Sequence, residues 1–440
     1  MSTYSLPIPT WPSYMSHLAK RRSRSYARSF PNRPGLVPVV IGEDLSAYAM
    51  ARCLHQAYGS RISVIASEPV AALRHSRFLD CHLVADLGND EVVLKALRAI
   101  TEATGSATRV IVGSFDGLVD FLARHRDELS ASYAFPTCDE EAVETLVDRA
   151  EFAQCCADLN IPAPYQQRIN AGHEAPVSFD IPFPVVAAAS VWRVREERRY
   201  GVKEPTRVLE GPQDARRFWR DLEGISFDGD VVIGPVIEAA ATETTLLSLY
   251  VNSHGSVSVA SSVRVLLGSA DASAVRHEVA WLSERPDPAL VQHAVAIVTK
   301  TGYRGFVTFT IRRDAGTGEH LFVEARPTGG MYSYSAMVGG VNPMRDLVAD
   351  LVDGAKLPLR LTYEESIVTA LPLTLLARQI PDPELRRRVS QLIRLGRVAN
   401  PLAYAHDYSL RNAVSTHLYL GALIAAVRRG LPLTHHVSSR

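Results

Sequence analysis

Gly302-Tyr303-Arg304-Gly305-Phe306-Val307-Thr308-Phe309-Thr310-Ile311-Arg312-Arg313-Asp314 is followed by Ala315-Gly316-Thr317-Gly318 and then Leu321-Phe322-Val323-Glu324-Ala325-Arg326-Pro327-Thr328-Gly329-Gly330. This reads as two strands joined by a glycine-rich hairpin turn. Aromatic and β-branched residues alternate with polar ones, as a pleated, half-buried surface requires. Neighbours across a hairpin share a face, so Arg312 and Glu324 are expected to look into one cleft. The second strand runs into Gly329-Gly330, whose backbone N–H groups can serve an anion.

Around this hairpin the chain runs to 440 residues, enough for two or three domains. Hydrophobic residues make up 47% and charged residues 21%, an ordinary balance for a globular protein with a large core. The 47 basic residues match the 47 acidic ones, which argues against nucleic acid as the main partner. No apolar run approaches the roughly 18–20 residues of a membrane-spanning helix. Residues 1–34, rich in Ser, Pro, Tyr and Arg with Lys20-Arg21-Arg22, lack the apolar stretch of a secretory signal and read as a disordered arm. The five cysteines show no metal-binding spacing, and Cys155-Cys156 are adjacent. They read as buried, reduced thiols of a cytoplasmic protein.

The expected fold class is α/β plus α+β. Residues 35–138 form an N-terminal doubly wound domain. Val37 to Gly42 is a buried parallel strand, Glu43-Asp44 opens a helix carrying Tyr48, Ala51, Leu54 and Tyr58 to Gly59, and Arg61–Ala66 and Val110–Gly113 are further strands. The first strand is not followed by Gly-x-Gly-x-x-Gly, so dinucleotide binding is unsupported. Asp116 reads as a helix cap. A second unit over 139–355 begins with a helical span from Glu140 to Leu159, then turns mostly antiparallel through strands at Phe183–Val186, Val231–Ile233, Thr245–Val251 and Val257–Val265. The arginine-rich run Arg193 to Arg199 reads as a surface strand or loop. Residues 356–440 are expected to be a helical C-terminal segment.

The span from Val37 to about Gly430 resembles the ATP-grasp carboxylate–amine ligases, most closely those of D-aspartate ligase type. The resemblance rests on the hairpin, on Ile41-Gly42-Glu43-Asp44-Leu45-Ser46-Ala47-Tyr48, and on Asp148-Arg149-Ala150-Glu151-Phe152 leading to Asn160-Ile161-Pro162-Ala163-Pro164. Gly396-Arg397-Val398-Ala399-Asn400-Pro401-Leu402-Ala403-Tyr404, with Asp407 and Leu410-Arg411, is similar to the same group's tail. The resemblance implies a pre-ATP-grasp domain before a two-lobed ATP-grasp domain. It also implies ATP and Mg²⁺ as cofactors, small-molecule carboxylate and amine substrates, and an acyl-phosphate intermediate in cell-wall precursor modification. A homo-oligomer is compatible with it, and a non-catalytic binding or scaffold relative is the alternative.

Carried over position by position, Glu324 is the metal candidate, Arg312, Lys203 and Arg207 are phosphate candidates with Gly329 and Gly330, and Arg326 is the catalytic candidate. The chain departs from the pattern at four places. Ala187-Ala188-Ala189 replaces a strand with a lysine, Gly234-Pro235 replaces Gln-Glu, Thr310 replaces an acid, and Arg326 and Thr328 replace Asn and Arg. Plain ion pairs remain the competing reading for Arg312, Arg326, Lys203 and Arg207, and a solvated acid for Glu324.

Overall fold

The computed structural model describes residues 33–114, 117–172, 178–192, 194–202, 205–237, 239–268 and 279–429. The apolar run at the start becomes strand β1 (Leu36–Ile41), with β2 (Ile62–Ala66), β3 (Leu79–Leu83) and β4 (Thr108–Gly113). They form a parallel sheet in the order β3-β2-β1-β4. Helix Leu45–Tyr58 starts where the Asp44 carboxylate accepts the Ala47 amide at 2.9 Å and stops at Gly59, whose φ of 69° suits a residue without Cβ. Its Tyr48, Met50 and Leu54 pack with Val40, Val64 and Val112 on one face. Val93, Leu97 and Ile100 of helix Asp90–Thr104 cover Val39, Ile41, Ile65 and Ile111 on the other, giving the doubly wound layer expected.

The helical span expected over Glu140–Leu159 is two helices, Glu140–Val147 and Arg149–Asp158. The break is Asp148, which stays extended because its carboxylate caps the second helix through the Ala150 and Glu151 amides. A small antiparallel sheet follows: β5 (Gln167–Asn170), β6 (Val185–Ala189), β7 (Thr206–Leu209) and β8 (Asp230–Pro235), in the order β5-β8-β6-β7. Helix Pro212–Gly224 covers one face of this lobe with Phe218, Trp219 and Leu222. The arginine-rich run is a helix, Val194–Tyr200, rather than a strand or loop; within it Arg199 and Tyr200 both hold Asp228, at 2.6 and 2.5 Å.

The large sheet contains β9 (Thr244–Val251), β10 (Val257–Leu267), β11 (Ala280–Glu284), β12 (Gly305–Arg313), β13 (His320–Arg326), β14 (Arg360–Leu361), β15 (Ser366–Thr369) and β16 (Val398–Ala399). Its order is β13-β12-β9-β10-β11-β15-β16, with β14 beside β10. One face carries Leu247, Leu249, Val307, Phe309, Ile311 and Phe322 against the two helices flanking Asp148 and helix Pro288–Thr301. The segment after Lys356 does carry helices at Leu373–Gln379, Pro383–Arg394 and Leu410–Arg429, but it also adds β14, β15 and β16 to this sheet. At two to four residues these strands are too short to show a period of two in the sequence.

The C-terminal segment also closes onto the first domain. Asp407, only 2% exposed, accepts hydrogen bonds from Tyr48 Oη (2.8 Å), Ser76 Oγ (2.8 Å) and the Arg77 amide (2.6 Å). Arg52 lies 4.7 Å from the ring centroids of both Tyr334 and Tyr404 and donates to the Asn400 and Pro401 carbonyls. The tail motif is therefore a clamp on helix Leu45–Tyr58.

Candidate functional site

Register places the candidate side chains. Thr310 pairs with Glu324 and Thr308 with Arg326 across the β12–β13 hairpin, while Ser248 of β9 lies beside Thr308. All five, with Arg312 two residues along β12, project from the face opposite the Phe309–Phe322 core. A bulge lies between Thr310 and Ile311, and such bulges re-aim side chains at the edges of sheets. Glu324 and Arg312 thus share a face because of this bulge: without it the register set by Arg312↔Leu321 would place Glu324 opposite Phe309, on the core side.

The contacts among these side chains are long. Arg326 Nε is 3.6 Å from Glu324 Oε2, and Arg326 Nη2 is 3.4 Å from Thr310 Oγ1. Both side chains of the pair are about a fifth exposed, at 19% and 20%. Arg312 feels the same carboxylate: burial pushes its guanidinium below its ordinary value, and Glu324 pulls it back. Its Nε is buried and has no hydrogen-bond partner among the described residues. Thr310, in the position of an acid, is fully buried.

Beyond β13 the chain turns through Gly329 and Gly330 into helix Tyr332–Val338. A Cβ on Gly329 would sit 2.7 Å from Ser333 Oγ and 2.9 Å from Phe306, so no larger residue fits there. Gly330 has a φ of 37°, and Ser46 of the first domain lies 3.8 Å from where its Cβ would be. Thr308 Oγ1 holds this turn by donating to the Thr328 carbonyl at 3.0 Å, and Ser248 Oγ lies 2.8 Å from Thr308 Oγ1. The Thr328 and Ser333 hydroxyl oxygens are buried without a hydrogen-bond partner among the described residues. Ser46, Ser248, Thr308 and Thr328 were not among the residues expected from sequence. The available signal was the hydroxyls at alternate positions of otherwise apolar strands.

The lobe supplies less than expected. Arg207 pairs with Ala187, whose side chain belongs to the core beneath helix Pro212–Gly224. Arg207 accordingly lies on the helix side, 2.8 Å from Asp221 and 5.7 Å from the Phe218 ring. Alternation along β7 turns it away from the other face of the lobe, apart from the hairpin candidates. Lys203, Arg193 and Asp116 lie outside the described residues. The lobe face turned away from that helix carries Val186, Ala188, Thr206, Val208, Val232 and Gly234. Its one described strand cation, Arg168 opposite Val232, is committed to Asp148 at 2.8 Å and Glu151 at 3.1 Å.

Glu324 is the sole carboxylate on β9, β12 and β13. Among the described residues no group of three or more His, Cys, Asp or Glu is placed to hold a metal. No described helix is long and apolar enough to cross a membrane.

Comparison with known proteins agrees with this architecture. No family model matches the chain. It is 20% identical over 390 residues to a D-aspartate ligase of Enterococcus faecium, covering 85% of this chain and 92% of that protein. A biotin carboxylase of Campylobacter jejuni, solved with a β,γ-ATP ligand, superposes with a TM-score of 0.55 at 16% identity, over 75% of this chain and 74% of that one. An L-amino acid ligase of Bacillus licheniformis superposes with a TM-score of 0.51 at 11% identity, over 72% and 73%. With its first domain, lobe and hairpin sheet arranged in this way, the chain has the fold of these ATP-grasp structures and is similar to a D-aspartate ligase over most of its length.

Proposed function

We propose that the protein is an ATP-dependent carboxylate–amine ligase that amidates a small carboxylic acid through an acyl phosphate, in cytoplasmic cell-wall precursor modification of the D-aspartate ligase kind. The observation that carries this reading is the gathering of Arg312, Glu324 and Arg326 on one face, beside a Gly329-Gly330 turn that Ser46 of the first domain approaches.

In this reading a carboxylate oxygen attacks the γ-phosphorus and ADP leaves. The amine nitrogen then attacks the acyl carbon, phosphate leaves, and the amine proton passes to solvent. Negative charge gathers first on the transferring phosphoryl oxygens and then on the tetrahedral oxyanion, and fixed donors aimed there do most of the catalytic work. Arg312 serves the phosphates and Arg326 the acyl phosphate or oxyanion, with the Gly329 and Gly330 amides as neutral donors. Glu324 orients the two guanidinium groups.

The fold family implies Mg²⁺, which neutralises phosphate charge when bound and is usually held through one or two carboxylates plus phosphates and water. Glu324, the carboxylate that these strands offer, has a guanidinium 3.6 Å away and a second within electrostatic reach. Among the described residues that donor set does not fit a resident divalent cation, and no step above depends on one.

The test is ADP release coupled to amide formation, followed by mass spectrometry with D-aspartate and a panel of carboxylates and amines. Arg326→Ala should lower turnover by about tenfold to a hundredfold, the loss expected for one charge-assisted contact. A second reading, a non-catalytic binding subunit, is favoured by one feature: the family's phosphate lysine is absent from Ala187-Ala188-Ala189, two of which are core residues. Nucleotide binding without ADP release across the panel would select it.

A further inference from the structure

β3 (Leu79–Leu83) ends one side of the first domain's parallel sheet, and no described strand pairs with its outer edge. The Ile62 amide donates to the Phe78 carbonyl at 3.1 Å and the Val84 amide to the Ala66 carbonyl at 3.0 Å. Bonds to one neighbour fall on every second residue of a strand, so Asp80 and His82 turn their backbone groups toward β2. Leu79, Cys81 and Leu83 turn theirs outward. The Leu79 carbonyl accepts from Arg61 Nη2 at 3.2 Å, while the outward groups of Cys81 and Leu83 have no bond among the described residues. Natural edges are commonly blunted by Pro, Lys or a bulge. β3 has none of these, and Leu83 is 62% exposed.

We infer that β3 pairs antiparallel with β3 of a second copy of this chain, across a two-fold axis at Cys81, joining the two first-domain sheets into one. The strand's own sequence selects that partner. Leu79-Asp80-Cys81-His82-Leu83 paired with itself about Cys81 sets Leu79 against Leu83 of the other copy and Asp80 against His82. A two-fold contact is self-complementary, so each of these pairs occurs twice. The outward backbone groups of the two Cys81 residues exchange hydrogen bonds at the centre. The neighbouring registers that keep the outward groups paired set Asp80 against Asp80 or His82 against His82, so charge favours this one. Exposed apolar residues of the C-terminal segment flank the strand. Arg77, two residues before β3, donates to the Tyr408 carbonyl at 3.3 Å, and helix Leu410–Arg429 packs against helix Ala71–Arg74 beside it. Tyr408, Val414 and Leu418 are exposed there and extend the contact beyond the strand pair.

The experiment is sedimentation equilibrium of the full chain from about 1 to 100 μM, a span suited to a contact of modest size. A monomer–dimer equilibrium is expected. A short bis-maleimide should join two chains through Cys81, the one cysteine of the five that is not buried, and Cys81→Ser should abolish that product. Leu83→Lys, at an exposed position, should weaken the dimer by about a hundredfold, because the two-fold axis doubles the loss of a buried leucine. His82→Asp should weaken it by setting acid against acid, and adding Asp80→His should restore it by returning opposite charges to the pair. Circular dichroism melts establish that each variant folds.

A chain that stays monomeric across the whole range would overturn the inference. So would a dimer that a folded Leu83→Lys leaves unchanged, or one that the maleimide does not join at Cys81, because the contact would then lie elsewhere. A dimer weakened by His82→Asp and not restored by the double variant would overturn it too, since the strands would not meet in this register.

Discussion

Arg52 and Arg326 are both arginines set among packed side chains, and their surroundings could hardly differ more. Arg52 is 7% exposed, lies 4.7 Å from each of two tyrosine rings and spends its charge on the Asn400 and Pro401 carbonyls. Beside it Asp407 accepts three hydrogen bonds of 2.6–2.8 Å from the first domain. At the hairpin face the contacts of Arg326 to Glu324 and Thr310 are 3.6 and 3.4 Å, and Arg312 Nε has no hydrogen bond among the described residues. The clamp is tied by short bonds at the Asp407 carboxylate and at Arg52 Nη1, although Arg52 Nε, like Arg312 Nε, is buried without a hydrogen bond among the described residues. Short, well-aligned bonds to buried groups fix an arrangement, whereas a buried donor without a bond, such as Arg312 Nε, costs stability. Stability and binding are thus separated in space, and substitutions should separate them too.

The largest effect belongs to the clamp. Asp407→Ala strands the Tyr48 hydroxyl, the Ser76 hydroxyl and the Arg77 amide inside the junction, at a cost of about 3–5 kcal/mol. Urea denaturation should show a lower midpoint, and an unchanged midpoint would dissolve the contrast. Next comes Arg326→Ala, the reverse case: nucleotide affinity falls by about 1.5–3 kcal/mol while the unfolding midpoint moves by less than about 1 kcal/mol. A collapse of stability in this variant would show that Arg326 holds the fold together rather than the ligand.

A smaller effect is a pH dependence at the clamp. His55 lies against Tyr404 and Phe78, and burial, helped by His406 and Arg61, lowers its pKa from 6.5 to about 4. The unfolded chain therefore binds more protons than the folded one between these values. Stability is fully present above pH 6.5 and is lost as the pH falls toward 4. The ring is partly exposed, so after allowance for solvent screening the loss is about 1 kcal/mol. Denaturation midpoints across that range should slope for the wild type and flatten in His55→Gln; parallel slopes would refute the assignment. The smallest effect is a gain: Arg312→Met removes a buried, unbonded donor and should stabilise the chain by up to about 1 kcal/mol while weakening ADP binding. A destabilised Arg312→Met would mean that the cluster is already satisfied in the empty protein.

The sequence by itself determined those parts whose signals are local. Asp44 and Gly59 bound the first helix and alternation marked the Gly305–Arg313 and His320–Arg326 strands, whereas the bulge between Thr310 and Ile311 is what put Glu324 on the face of Arg312. Apolar periodicity and turn chemistry act over a few residues, so they can be read along a chain. Tertiary structure decided the rest. Arg207 looked equivalent to any other strand cation until its pairing with Ala187 turned it onto the helix side of the lobe. The strands at Arg360–Leu361, Ser366–Thr369 and Val398–Ala399 exist because the edge and middle of an existing sheet offer partners, not because so few residues have a preference of their own. Ser46 meets Gly330, and Asp407 meets Tyr48, across hundreds of residues of chain. Such contacts depend on where domains dock, and docking is settled by the summed burial of many distant side chains rather than by any local pattern.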